Sequence, residues 1–350
     1  MSIVQILTFT YHLCKVYDKF IHYFDVFKES NMALFPLKIK VLILPKFEFG
    51  ELGAASFGEA GRFYTHYLSG GEAFDIPGAY EGSRLYVKNE IALFITGSGK
   101  VNSAVSFTAL MCDRRFDFSE AYILSHGCAG GAAGYAVMGD IVVVTAAVDL
   151  DLGHTVDVRD MLSSDPETTW FHDPGFDAFS CIKLNPGLTG RVYDLIGGLT
   201  PATTESAVHF MNAALEPLNL EPRSPAVIRG TSVTSDNYWK GIHWHKNAAA
   251  AVEHYSCPDP FAVTEMEDAA IAAAAARFGV LNRLIILRGV VNIDLFVGNA
   301  SPESLWADTN IFELISKDNS LESADIFEVC MDSLFEAEKR IIDKALAGEL

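Results

Sequence analysis

"TEMEDAAIAAAAA", residues 264–276, sets three carboxylates (Glu265, Glu267 and Asp268) against a run of alanine broken only by Ile271. Alanine has the lowest intrinsic cost in a helix, so the stretch from Asp268 onward predicts one. Side chains this small let such a helix lie close against a sheet. Acids are favoured at a helix start by the unpaired N–H groups and the helix dipole, at ~0.3–1 kcal/mol each. That accounts for Glu265 and Asp268 as ordinary helix-start charges. It gives no reason for Glu267 to follow a methionine at the mouth of so apolar a helix.

Outward from this helix, apolar runs recur, each closed by a polar or glycine-rich cluster. They are "KIKVLILPKF", "IALFITGSGK", "SEAYILSHGCAGG", "MGDIVVVTAAV", "PAVIRGTSVTSD" and "RLIILRGVVNID". Helical patterns lie between them, as over residues 206–215 and 324–347. Continuously apolar strands alternating with helices predict an α/β fold with a mostly parallel or mixed central sheet covered on both faces. The polar clusters follow the strands, at the carboxyl edge where such sheets bind ligands. No repeat or linker divides residues 37–350, which read as one domain. Residues 1–36 mix aromatic, acidic and basic side chains without the pattern of a signal peptide and read as an appendage; Met32 opens a more ordinary start.

The chain has 350 residues, half of them hydrophobic and 20% charged, with a formal net charge of −19. This balance argues against nucleic acid or an anionic membrane as partner. No segment approaches the ~20 apolar residues of a membrane span. The six cysteines are scattered without metal spacing, which suggests free thiols in a reducing, cytoplasmic setting. The ten histidines form no ligand set by spacing, so no metal is expected.

"TGSGK" (residues 96–100) is not a phosphate-binding P-loop, because Val101 follows the lysine and the earlier glycine is absent. Gly97 and Gly99 permit a sharp strand-to-helix turn. Together with "GCAGG" (residues 127–131), the turn also offers backbone N–H groups suited to a polar ligand.

Taken in order, "TGSGKVNSA", "SHGCAGG" with "MGDIVVV", "TSDNYW", "TEMEDAAIAAAAA" and "LRGVVN" resemble the landmarks of the nucleoside phosphorylase superfold. Within it, "GEAGRFY", "GCAGG" and "TSDNYW" most resemble the purine nucleoside permease family. The resemblance covers roughly residues 40–345 and implies a purine nucleoside as ligand. It implies that Glu267 accepts hydrogen bonds from ribose hydroxyls and that Met266 packs under the sugar. A buried carboxylate on the diol suits the cationic character that develops as a ribosyl C–N bond breaks. Tyr238 and Trp239 fall where relatives wall the base.

Asn292, four residues after Arg288, falls where the superfold contacts the leaving purine. Hydrolases of the superfold carry Asp there, and trimeric purine phosphorylases carry Asn. Asparagine offers donor and acceptor together, which suits N7 and a 6-oxo group but supplies no acid proton. Asp294 is the substitute acid if the register shifts.

For the nucleophile, the resemblance places Glu48 just after the first strand and Arg288 beside an attacking water. A phosphorylase needs a phosphate pocket instead. Gly97, Ser98, His126, Cys128 and Arg288 are candidates for it, with Lys46, Arg62 and Arg159 as further cations. Phosphorolysis and hydrolysis both stay open. No cofactor is implied, apart from inorganic phosphate as co-substrate in the first case. A homo-oligomer is implied by the resemblance. The family name adds a binding role in nucleoside transport, and a non-catalytic nucleoside sensor is a further alternative.

Overall fold

The computed structural model describes residues 36–53, 57–163, 165–295 and 322–350. The appendage expected over residues 1–36 lies outside them, except for Pro36. Two units divide the chain: residues 1–38 with 114–117, and residues 39–113 with 118–350. In the described part of the first, Leu37–Lys38 pairs in parallel with Phe116–Asp117. The second unit is an α/β structure built on a ten-stranded sheet.

Its strands are β1 (Val41–Leu44), β2 (Glu72–Asp75), β3 (Arg84–Lys88), β4 (Ile91–Leu93), β5 (Tyr122–Gly131), β6 (Ile141–Asp149), β7 (Cys181–Lys183), β8 (Val227–Thr234), β9 (Phe261–Glu265) and β10 (Leu284–Ile293). They lie in the order β7-β6-β8-β9-β5-β1-β4-β3-β2, and β10 pairs with both β6 and β5. Strands β5, β9, β8, β6 and β10 therefore form a closed circuit of pairing, which removes their free edges. The β1–β4, β1–β5, β5–β10, β6–β8 and β8–β9 pairs are parallel. The β6–β7, β6–β10, β5–β9, β2–β3 and β3–β4 pairs are antiparallel, so the sheet is mixed. Ile141 through Val148 are all buried, as expected of a β-branched strand covered on both faces.

Six helices matter here: α1 (Lys100–Met111), α2 (Pro186–Ile196), α3 (Glu205–Leu215), α4 (Ile242–His254), α5 (Asp268–Arg277) and α6 (Glu322–Ala347). Local chemistry sets their starts. Asn185 caps α2 by accepting from the Gly187 and Leu188 N–H groups, with Pro186 in the first turn, and Thr204 caps α3. Helix α6 buries Phe327, Met331, Leu334, Ile341 and Ile342 in a core shared with Val41, Ile43, Leu124 and Leu287. Helix α5 buries Ala269, Ile271, Ala272, Ala274 and Ala275, the close-packed face that its alanines predict.

Two local features aim side chains at the carboxyl edge. The β5–β10 register shifts between Val290 and Asn292, leaving Val291 as the extra residue of a bulge that re-aims Asn292. The turn into α1 runs through Gly97 and Gly99 at φ +83° and +88°, a region costly for any residue with a Cβ. At Gly97 a Cβ would also sit 2.6 Å from the Tyr80 ring. Among the described residues, no helix is long and apolar enough to cross a membrane.

Candidate active site

A cavity of about 280 Å³ opens where the strand ends converge. Strands supply Cys128–Gly130 and Thr264, the segment after β9 supplies Met266 and Glu267, and Arg288 with Val291–Asp294 come from β10 and its end. Loops add Lys46, Phe47, Glu59, Ser98 and Asn237–Lys240. The Gly-rich turn, the "TSDNYW" turn, the EME segment and the "LRGVVN" strand thus meet at one place.

The acids of the opening stretch are organised around Arg288, which is 1% exposed. Its Nε donates to both Asp268 oxygens at 3.1 Å, and its Nη2 to Asp268, Glu265 and Glu267 at 2.6, 2.8 and 3.0 Å. Nη1 donates to the Cys128 carbonyl at 3.1 Å. Gly127, the register partner of Arg288, leaves room for this guanidinium, because a Cβ there would lie 2.7 Å from Nη1. Glu265 and Asp268 are therefore more than helix-start charges. Glu265 Oε2 also accepts the Glu267 and Asp268 N–H groups at 2.5 and 2.7 Å, capping α5. Its Oε1 accepts from the Ser232 and Thr234 hydroxyls. Burial and the neighbouring Asp268 push the Glu265 carboxyl up to about 7, against the pull of Arg288.

Glu267 is 4% exposed and faces the cavity. Its Oε1 accepts the Gly99 N–H at 2.9 Å and its Oε2 accepts from Arg288. Burial raises its pKa, while Arg288 and Lys46 pull it down. The Gly-rich turn thus presents its N–H to a protein carboxylate, and the next N–H, of Lys100, goes to Asp236 at 2.7 Å. Met266 and Ser98 also line the cavity; Gly97 shapes the turn and is not a lining residue.

Glu48, expected beside the nucleophile, is not among the lining residues. It accepts the Gly61, Ala60 and Phe49 N–H groups at 2.6, 3.0 and 3.1 Å, and so caps the helical turn starting at Gly61. Glu59 occupies the cavity instead, 3% exposed, accepting the Lys46 and Cys128 N–H groups at 2.8 Å each. Both glutamates follow β1 on one short hairpin, Glu48–Phe49 paired with Phe57–Gly58. The "GEAGRFY" stretch contained Glu59, but only the pairing shows which acid turns inward.

Lys46 lines the same wall, 1% exposed, with Nζ donating to the Leu44 carbonyl and the Ser125 hydroxyl at 2.7 Å each. Burial and Arg288 lower its pKa, opposed by Glu267, Asp268 and Glu59. Burial, reinforced by Glu59, holds the Cys128 thiol well above its ordinary pKa, which disfavours a thiolate nucleophile. The other phosphate candidates lie elsewhere. His126 is fully buried against Phe63, with Nδ1 2.9 Å from Glu338. Arg62 pairs with Glu328 and Asp332, and Arg159 with Asp157.

Asn292 also lines the cavity, and its Nδ2 donates to the Tyr238 hydroxyl. Tyr238 is 42% exposed at the rim, and Trp239 is 5% exposed and stacked on Trp244 at 6.0 Å. Asp294 reaches the cavity but is already paired. It accepts the Ala133 N–H at 3.0 Å, and its Oδ2 lies 2.7 Å from His245 Nδ1. Burial lowers the His245 pKa and Asp294 more than reverses it, for a net rise.

The purine nucleoside permease family model matches residues 38–344. The chain belongs to that family. A probable purine nucleoside permease of Schizosaccharomyces pombe is 27% identical over 60% of this chain. A purine nucleoside permease of Candida albicans is 30% identical over 43% of it. These alignments span 66% and 40% of the relatives' own lengths. Among solved structures, a methylthioadenosine/S-adenosylhomocysteine nucleosidase from Colwellia psychrerythraea, in complex with adenine, is 16% identical with a TM-score of 0.52. That match covers 91% of this chain and 98% of the nucleosidase. The Helicobacter pylori nucleosidase is 17% identical with a TM-score of 0.52, covering 90% of this chain and all of that one. The fold is thus the nucleoside phosphorylase-like fold of these proteins.

Proposed function

We propose that this permease-family chain binds a purine nucleoside in the cavity and hydrolyses its N-glycosidic bond. One observation carries this reading. Two buried carboxylates, Glu59 and Glu267, are each held by backbone N–H groups on one cavity, which Asn292, Tyr238 and Trp239 also line. Glu267 would grip the ribose diol above Met266, a role supported by its being held at the cavity wall by the Gly99 N–H and Arg288. Glu59 would take a proton from water as the water oxygen bonds to C1′ and the C1′–N9 bond breaks. The departing purine would be held by Asn292, whose donor and acceptor suit a 6-oxopurine, and that proton would return to it through solvent.

Water is favoured over phosphate by the charge of the site. Of the cations expected for phosphate, Lys46 and Arg288 line the cavity, and Arg288 is already surrounded by three carboxylates. A dianion would meet Glu59, Glu265 and Glu267 at close quarters. The second reading, nucleoside binding in support of transport without cleavage, is favoured by the names of the Schizosaccharomyces and Candida relatives.

The test is incubation of purified protein with inosine, guanosine and adenosine, with and without phosphate, scoring base and sugar products. Free base and ribose without phosphate support hydrolysis. Strict phosphate dependence with ribose 1-phosphate formed overturns water as nucleophile. Saturable binding without base release supports the transport reading.

A further inference from the structure

Away from the cavity, three ligand-type side chains converge, two from one short segment and the third from the distant end of α4. His172 follows the Trp170–Phe171 strand, Asp177 opens the helical turn Asp177–Ser180, and His254 ends α4. One ligand atom from each lies within 4.8 Å of the others. His254 Nε2 is 3.6 Å from Asp177 Oδ1. The His172 and His254 rings stack face to face, with centroids 4.0 Å apart and planes 21° from parallel.

The packing around His254 fixes its direction. Tyr255 meets its ring edge-on at 4.8 Å and Trp170 at 6.1 Å, so one side of the imidazole is walled and its polar edge faces Asp177. Trp170 itself is 3% exposed and anchored by its indole N–H on the Leu150 carbonyl at 3.1 Å. All three ligand residues are exposed, so an ion reaches them directly from solvent. Two facing imidazoles cannot both carry protons without repulsion, and a shared cation removes that conflict while keeping both lone pairs in use.

The geometry points to a site for a divalent d-block cation of the zinc type, held by His172, His254 and Asp177, with water completing the shell. Bonds of ~2.0–2.2 Å in a tetrahedral shell place ligand atoms ~3.3–3.6 Å apart. The His254–Asp177 spacing already meets that, and binding requires the exposed His172 ring to turn out of its stack on His254 so that both lone pairs meet one ion. Two imidazoles and one carboxylate favour Zn²⁺, Ni²⁺ or Cu²⁺ over Ca²⁺ or Mg²⁺, which prefer oxygen-only shells. The bound ion would tie the 170–177 segment to the end of α4, above the apolar cluster that contains Trp170, Trp239 and Val252. It is separate from the proposed nucleoside cavity and takes no part in the chemistry there.

The test uses the full chain stripped with chelator, titrated with Zn²⁺ by calorimetry, and with Co²⁺ for its visible absorption. The site predicts one high-affinity ion per chain, an intense Co²⁺ band of a four-coordinate N/O site, and a Zn²⁺-dependent rise in Tm. H172A and H254A should each weaken Zn²⁺ by at least about tenfold and abolish the Co²⁺ band, and D177N should do so more mildly. Circular dichroism confirms that each variant is folded, and H172A, at an exposed position, is the decisive one. Ca²⁺ should give no Tm rise. Undiminished Zn²⁺ affinity in folded H172A, or no Zn²⁺ binding to the wild type, overturns the site.

Discussion

Replacing Arg288 with methionine removes the cation that contacts all three acids at the start of α5. Arg288 donates to Asp268, Glu265 and Glu267 at 3.1 Å or less, and every one of these groups is at least nine-tenths buried. Methionine fills much of the volume, so the loss is electrostatic rather than a cavity. Breaking a buried pair by removing one partner costs about 3–5 kcal/mol, because the other charge is left uncompensated. Here three carboxylates lose their partner, with Lys46 left as a nearby cation, which places the loss at the upper end of that range. Against a stability of about 5–15 kcal/mol, the variant should fold but only marginally. The deficit should depend on pH with a definite sign. Without Arg288, the raised pKa values of Glu265 and Glu267 lose the cation that pulls them down, so their ionisation opposes folding and the variant weakens as pH rises. Equilibrium denaturation of R288M and wild type at about pH 6 and about pH 9 reads this directly. The deficit should be smaller at the lower pH. A deficit below about 1 kcal/mol, or one independent of pH, would refute the hub reasoning.

Further perturbations separate individual roles. E59Q should lower turnover by about 10²–10⁴-fold with little change in nucleoside affinity. E48A should instead cost about 1 kcal/mol of stability through the lost helix cap, and a turnover loss equal to that of E59Q would return the base to Glu48. N292D should shift preference in a base-release assay from inosine towards adenosine, because a protonated carboxyl suits a 6-amino purine; unchanged selectivity contradicts the Asn292 contact. His245 has its pKa raised by Asp294, so its stabilisation is full below its unfolded value and is lost as pH rises through the folded one. Wild type should therefore exceed H245Q in denaturation midpoint most near pH ~6 and least near pH ~9.

The fold was readable because the central strands are apolar runs closed by polar clusters, and because α5 announces itself by alanine; the short β2, β3 and β7, with charged residues in them, gave no such signal. The strand-end clusters were sufficient to bring Glu267, Asn292, Tyr238 and Trp239 to one place. What stayed hidden depended on pairing across long separations. Glu48 and Glu59 both follow the first strand, and only the hairpin shows that Glu59 turns inward. Glu265 and Asp268 matched the helix dipole so well that their contact with Arg288, some twenty residues on, had no local signal. The bulge at Val291 left no mark on the apolar pattern, since one more valine fits any buried strand. His172 and His254 are separated by β7, α2, α3, β8 and most of α4, so spacing alone could not unite them.

The central claim is that Glu267 grips the ribose diol, and calorimetric binding of inosine and 2′,3′-dideoxyinosine to wild type and E267Q tests it. In wild type, the dideoxy compound should bind about 10–100-fold more weakly, the range for lost hydrogen bonds to a charged group. In E267Q the two ligands should differ by much less, because the partner that reads the hydroxyls has lost its charge. Equal discrimination in both proteins would place the sugar elsewhere and contradict the account.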